Sequence, residues 1–279
     1  MDQDRQPESP LLEFDENRAA FIEPSALRSA TDVPHACVLS WFHDAIGRLI
    51  TRLDGHQVVE NRWEDGPHPL FEVDVAGQRL GMVPMPVSGT AAGALLEELI
   101  AFGCRSFVAC GGAGSLRRDL TVGHLVLVTS ALRDEGLSHH YLPPGRAVDA
   151  DPGAVALLRG VLDEHGVTYV EGRTWTTDGV FRETPGKIAA RRDEGCMTVE
   201  MEAASIAAVA QFRGVPLAQL LYAGDDLSGE TWDHRSWRTR HDVRDNMLDL
   251  AMAAALRIDT TANAPKRRVR VRDRRESRR

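Results

Sequence analysis

VEMEAASIAAVAQFRG, residues 199–214, reads as a strand end running into a helix: Val199 to Glu202 extended, EAASIAAVAQFRG helical. Two acids, Glu200 and Glu202, flank Met201 at the junction. The same alternation continues in both directions. SFVACGGAGSL (106–116) is a buried strand that dissolves into glycines, and HLVLVTSAL (124–132) and VTYVEGRTWTT (167–177) are further strands. DPGAVALLRGVLDEHG (151–166) is a helix with Asp151 as N-cap and Gly166 as C-cap. CVLSWFHDAIGRLITRL (37–53) has apolar residues at helical spacing and reads as an amphipathic helix. LFEVDVAGQRLGMVPMP (70–86) reads as a hairpin about Ala76-Gly77-Gln78, and SGTAAGALLEELIAFG (88–103) as a turn and a helix ending at Gly103. A short helix follows Pro185, VPLAQLLYAG (215–224) is a strand, and the last long helix runs from about Arg238 to Arg257. Strands alternating with helices predict an α/β fold, a layered sheet with helices on both faces.

The chain has 279 residues, 43% hydrophobic and 27% charged, which suits one large domain. Cys37, Cys104, Cys110 and Cys196 form no CxxC pair and read as buried free thiols of a reducing compartment. No apolar run reaches the roughly 18 residues of a membrane span. The start, MDQDRQPESP, is polar and acidic, unlike a secretory signal, so the expected location is cytoplasmic. The net charge of −8 is uneven: the last 14 residues, KRRVRVRDRRESRR, carry +7 and the rest −15. The basic block predicts a disordered tail over residues 263–279, beside a polar, loose stretch over 1–20 and one main domain over 21–262. An acidic main body fits a polyanion poorly, so no nucleic-acid partner is expected, and no membrane.

Ligands of such sheets collect where strands end. SGT (88–90), GGAG (111–114), TTDGVFRET (176–184), AGDD (223–226) and the EME stretch are the polar or glycine-rich ends. Glycines at Gly111 and Gly112 let a backbone approach a ligand, or mark a tight turn. Asp225 suits an acid–base position at the sheet rim, or a cap. Val180 and Phe181, among Thr177, Asp178, Arg182 and Glu183, suit a flat heterocycle beside a polar fork, or an anchored loop. His139 and His140 read as loop residues, and no metal site is expected. An acid at a helix start favours the dipole and caps free N–H groups, which explains one glutamate of VEMEAASI. In an extended stretch the two glutamates share a face, as recognition of a sugar with vicinal hydroxyls needs.

VEMEAASIAAVA, with FGCRSFVACGGAGSL upstream and a strand ending in AGD downstream, resembles the purine nucleoside phosphorylase/uridine phosphorylase superfamily over about residues 70–257. ALRDEGLSHHYLPP and WTTDGVFRET look most like its uridine phosphorylase-like branch. The resemblance implies a three-layer αβα fold with a mixed, partly barrel-like central sheet, and cleavage of a nucleoside N-glycosidic bond by phosphate or, in related nucleosidases, by water. Carried over, Glu202 is the ribose-binding carboxylate and Met201 packs against the sugar. Glu200 lies beside it, at the base or as support. Asp225 matches the acid at a purine base, and Phe181 or Val180 the apolar position against it. Thr177, Asp178 and Arg182 fall in that base segment, Gly111 and Gly112 near the phosphate, and Ser88 is a further substrate-binding candidate. No cofactor is implied beyond inorganic phosphate as co-substrate, and a homo-oligomer, dimer or hexamer, is. Two departures matter: Ala109 stands where the family's phosphorylases carry a phosphate-binding Arg, and the GDPxR loop is absent, its nearest analogue being EPSALR with Arg28. Arg28, Arg48, Arg133, Arg182 and Arg235 are replacement cations. The expectation is therefore a purine-type nucleoside phosphorylase, with a hydrolytic nucleosidase second and a non-catalytic nucleoside-binding sensor third.

Overall fold

The computed structural model describes residues 9–27 and 31–262. The expected loose start falls partly outside the described residues, and Arg28 and the basic tail 263–279 wholly so. The first half of the chain builds β1 (Ala36–Ser40), α1 (His43–Arg52), β2 (His56–Trp63), β3 (Gly66–Val75), β4 (Gln78–Pro84), α2 (Gly89–Phe102) and β5 (Ser106–Ser115). The second builds β6 (Leu125–Asp134), α3 (Ser138–Tyr141), β7 (Ala147–Asp149), α4 (Pro152–Glu164), β8 (Tyr169–Thr177), α5 (Pro185–Asp193), β9 (Cys196–Glu200), α6 (Ala203–Arg213), β10 (Leu217–Asp226) and α7 (His241–Ala262).

Five strands close into a barrel-like ring: β5 pairs β10, β10 pairs β6, β6 pairs β8, β8 pairs β9, and β9 returns to β5. From β5 the sheet runs outward through β1, β4, β3 and β2, while β7 lies on β6. Parallel ladders (β1–β4, β1–β5, β5–β10, β6–β8, β8–β9) mix with antiparallel ones. Along β1, Ala36 and Val38 face one core with α1, α4 and α7, whereas Cys37 and Leu39 face the other with α2 and α6. That period of two puts helices on both sides of the sheet, the expected three layers. All four cysteines are buried and free.

Local chemistry explains most boundaries. The β3–β4 turn places Ala76 and Gly77 at φ of 55° and 82°, and Asp74 Oδ1 accepts the Gly77 N–H at 2.8 Å. Asp151 Oδ1 caps α4 by accepting the Ala154 N–H at 2.7 Å, and Gly166 follows that helix at φ 64°.

Three expectations are corrected, and one strand goes unforeseen. Residues 37–53 are not one helix: Cys37–Ser40 belong to a strand buried on both faces, and the helix starts at His43. A strand buried on both sides has no alternation to set it apart from a helix. β2, whose polar and apolar residues follow no strict alternation, had no sequence signal. β5 does not dissolve at its glycines but runs through them to Ser115. His139 and His140 sit on the short helix α3, not in a loop.

Candidate active site

β5 changes partner halfway along one edge. Ser106–Cys110 pair with β1, Gly114 and Ser115 pair with β9, and residues 111–113 are in neither ladder. The C-terminal ends of β1 and β9 meet at this gap, the switch point at which α/β sheets bind ligands. A cleft of about 470 Å³ opens there. Its walls are Trp41 and Phe42 after β1, Val87 before α2, Gly112–Gly114 of β5, Val180 and Glu183 after β8, Val199 to Glu202, Gly224 and Asp225, and Trp237, Arg238 and Arg244. The glycines make room: a Cβ on Gly112 would stand 3.2 Å from the Tyr222 ring, and one on Gly114 2.5 Å from Leu227.

The two glutamates do different work. Glu200 Oε2 accepts the N–H groups of Glu202 and Ala203 at 2.7 and 2.6 Å, and Oε1 accepts the Thr176 hydroxyl at 2.7 Å. Thr176 Oγ1 in turn accepts the Ala204 N–H at 2.9 Å. The opening N–H groups of α6, which have no partner within the helix, are met by this pair. Burial holds the Glu200 carboxyl above its ordinary range, against the pull of those hydrogen bonds. Glu202 has one oxygen tied: Oε1 accepts the Ser88 N–H at 2.7 Å. Ser88 holds φ 139°, a strained value for a residue with a side chain, so its amide is aimed by the surrounding structure. Burial first, then the charge of Glu200, pushes Glu202 up to about 8, against the pull of the Ser88 and Met201 amides.

Across the cleft, the Trp232 indole N–H donates to Asp225 Oδ2 at 2.6 Å. Oδ1 lies 3.6 Å from where a Gly114 Cβ would stand, so that glycine keeps the carboxylate's inner side open. Glu183 lines the same cleft, and burial, followed by the charge of Asp225, pushes it up to about 7.

Of the residues singled out in the sequence, Glu200, Met201, Glu202, Gly112 and Asp225 line one cavity, with Ser88 attached through its amide. Val180 and Glu183 join them, whereas Gly111, Thr177, Asp178, Phe181 and Arg182 are not among its walls. Gly111 faces Trp41, 3.2 Å from where its Cβ would be. Thr177 Oγ1 accepts the Gly179 N–H at 3.2 Å, and Asp178 Oδ2 accepts the Gly136 N–H at 2.9 Å. Phe181 is 95% exposed and lies, like Arg182, off the cleft lining, where Val180 supplies the apolar contact. Three of the replacement cations are engaged elsewhere, and Arg28 lies outside the described residues. Arg48 pairs with Asp44 and Asp245, Arg133 donates to the backbone of Ser138, Leu142 and Pro143, and Arg235 pairs with Asp226. Ala109 is fully buried in β5.

Sequence reasoning missed Trp41, Phe42, Val87, Trp237, Arg238 and Arg244. Trp41, whose indole N–H donates to the Pro86 carbonyl at 2.9 Å, was hidden in the misread helix. Arg238 stands just before the last helix and Arg244 in its first turn, where their spacing matches any solvent-facing arginine. Among the described residues no group of three or more His, Cys, Asp or Glu is placed to hold a metal ion.

A ring of mixed strands, a cleft at its partner switch and buried carboxylates facing that cleft define an α/β protein of the nucleoside phosphorylase and nucleosidase type. The chain belongs to the phosphorylase superfamily, whose sequence profile matches residues 70–260. It is 24% identical over 227 residues to a guanosine phosphorylase of Halorubrum lacusprofundi, covering 79% of this chain and 93% of that one. Its fold is similar to that of an AMP nucleosidase from Bacteroides thetaiotaomicron (TM-score 0.68, 18% identity, 83% of this chain and 91% of that one). It is equally similar to a purine nucleoside phosphorylase from Toxoplasma gondii in complex with immucillin-H (TM-score 0.68, 19% identity, 82% and 93%). Membership places the protein among enzymes that act on nucleosides.

Proposed function

We propose that the protein cleaves the N-glycosidic bond of a purine-type nucleoside, with inorganic phosphate as acceptor. The observation that carries this reading is the placement of Glu202 and Asp225 on the walls of one cleft, each anchored through one carboxylate oxygen. Glu202, with Oε1 on the Ser88 amide, uses its other oxygen to hold the 2′ and 3′ hydroxyls, while Met201 packs against the sugar. As the C1′–N bond breaks, its electron pair moves to the base and positive charge grows on the sugar, the oxocarbenium character common to glycoside cleavage. That charge favours the ionised form of Glu202, so its stabilisation is greatest in the transition state. Asp225 faces the base and delivers or shares the proton that neutralises it. Glu183, raised toward neutrality beside Asp225, supplies that pair with a proton near pH 7. Phosphate then bonds to C1′, giving ribose 1-phosphate and the free base.

A second reading, hydrolysis at the same site, is favoured by Ala109, which puts a methyl group where the resemblance implies a phosphate-binding arginine. One experiment separates the two. Purified protein is given purine and pyrimidine nucleosides with and without inorganic phosphate, and the sugar product is identified. Ribose 1-phosphate formed only with phosphate, and faster from purine nucleosides, is the expected result. Free ribose in phosphate-free buffer supports water as acceptor, and no product from any nucleoside under either condition refutes cleavage.

A further inference from the structure

The arginines that line the cleft, Arg238 and Arg244, are both absent from the set suggested by the sequence. Arg244 stands in the first turn of α7 and is only 9% exposed. Its guanidinium lies between two aromatic rings, 5.3 Å from the Phe42 centroid and 5.8 Å from that of Trp237. Nη1 sits 3.2 Å from Asp44 Oδ1, while Nε is buried without a hydrogen-bond partner among the described residues. A buried donor is rarely left unpaired in a folded protein.

The carboxylate beside Arg244 is also shared. Asp44 is the one carboxylate partner of Arg244 among the described residues, and that side chain is 42% exposed. The same carboxylate receives Arg48 at 3.0 Å and His241 Nδ1 at 3.2 Å. Arg238 extends the positive end of the cleft: it is exposed, lies 5.3 Å over the Trp237 ring, and makes no ion pair among the described residues. Planar guanidinium groups fixed against aromatic rings suit a tetrahedral oxyanion, which they grip through paired N–H donors. The acids Glu183, Glu202 and Asp225 occupy other walls, so an anion is drawn toward the arginines of residues 238–244 and the Trp41–Phe42 loop.

We propose that Arg244, assisted by Arg238, forms an anion subsite of the cleft for a phosphate group, either inorganic phosphate or the phosphate of a nucleoside 5′-monophosphate. The site is thus assembled from α7, whereas the strand position Ala109 contributes nothing. The proposal rests on the cleft being a nucleoside site, as argued above.

Calorimetry on the full chain tests it with three probes: inorganic phosphate, a purine nucleoside, and the matching nucleoside 5′-monophosphate. They are titrated into wild type, Arg244→Gln and Arg238→Gln. Wild type is expected to bind phosphate, or to bind the monophosphate more tightly than the nucleoside. Loss of one charged hydrogen-bonding partner predicts about a tenfold weakening of the anion in Arg244→Gln. Arg238→Gln, which alters an exposed side chain and leaves the packing against Phe42 intact, is expected to weaken it about threefold. In both variants the anion loses more than the uncharged nucleoside does. Phosphate binding identifies the acceptor as the source, and preference for the monophosphate identifies the 5′ substituent. The subsite is refuted if wild type binds neither anion, if Arg244→Gln keeps wild-type anion affinity, or if it weakens nucleoside and anion equally. Phosphate binding that depends on Arg244, without any nucleoside binding, would sink the nucleoside reading and leave the anion site standing.

Discussion

With Glu202 pushed up to about 8, its carboxyl is largely protonated near neutral pH. Its folded pKa lies above the ordinary 4.5. Between these values the folded chain binds more protons than the unfolded one, so stability falls as pH rises. This contribution is fully present below about 4.5 and is lost as pH passes 8. The slope is at most about 1.4 kcal/mol per pH unit for one group. Glu202→Gln cannot ionise, and its amide oxygen still accepts the Ser88 N–H. Relative to wild type it should therefore gain thermal stability between pH 5 and about 9 while losing roughly 10²-fold or more in turnover. Melting curves across that range check the first part, and an identical stability difference at both ends contradicts it. The Glu183–Asp225 pair adds a kinetic limb. Both acids serve proton delivery in the proposed reaction, so kcat/KM should fall above about pH 7 as Glu183 ionises. Glu183→Gln should displace that limb, and Asp225→Asn should lower kcat by roughly 10²–10⁴. A pH–rate profile unmoved by Glu183→Gln removes it from proton delivery.

At the scale of elements, the site is a meeting of ends: β1 and β9 stop where β5 changes partner, and α2 and α6 start side by side. Gly89, the first residue of α2, shows how close that meeting is. A Cβ there would stand 2.3 Å from Ser205 Oγ and 3.1 Å from the Met201 carbonyl oxygen. Gly89→Ala must part the two helix starts, at a cost of about 1–3 kcal/mol. It should also move the neighbouring Ser88 amide off Glu202. The expected result is a lower urea midpoint together with weaker nucleoside binding, and a variant with wild-type values for both would show that the junction yields. The junction was partly legible in the sequence. One acid as a helix cap could be foreseen, and Glu200 fills that role, although it reaches α6 from the preceding strand rather than from the cap position. That Thr176 completes the cap could not be foreseen, because it arrives from β8, 24 residues earlier than Glu200. The sequence offered Phe181 or Val180 as the apolar side chain beside a polar fork, and the turn after β8 puts the half-exposed Val180 on the cleft and leaves Phe181 in solvent. Turn phase of this kind is set by tertiary packing rather than by local spacing.

At the scale of the molecule, the alternation of strands and helices announced helices on both faces, because each buried strand had to be covered twice. Closure of the ring was implied by the family resemblance alone and by no local pattern: β10 joins both β5 and β6, pairings between residues some ninety or more positions apart. The closed ring and the open arm should differ in protection. Nearly every residue of β5 and of β10 is buried. β2, at the free edge of the arm, has no buried residue and pairs only with β3. Opening β2 exposes little apolar surface, whereas opening β10 breaks two ladders and uncovers core on both sides, so its amides should open only near the global unfolding free energy. Hydrogen-exchange mass spectrometry should find peptides from residues 56–63 exchanging orders of magnitude faster than those from 217–223. Comparable rates would mean that arm and ring open as one unit. The expected order also bears on the cleft. Glu200, Glu202 and Asp225 sit at the ends of the ring strands, so in the proposed reaction the sugar and base positions are held rigidly, and adaptation to different nucleosides falls to Val180, Glu183 and Trp232 in the exposed connections around them.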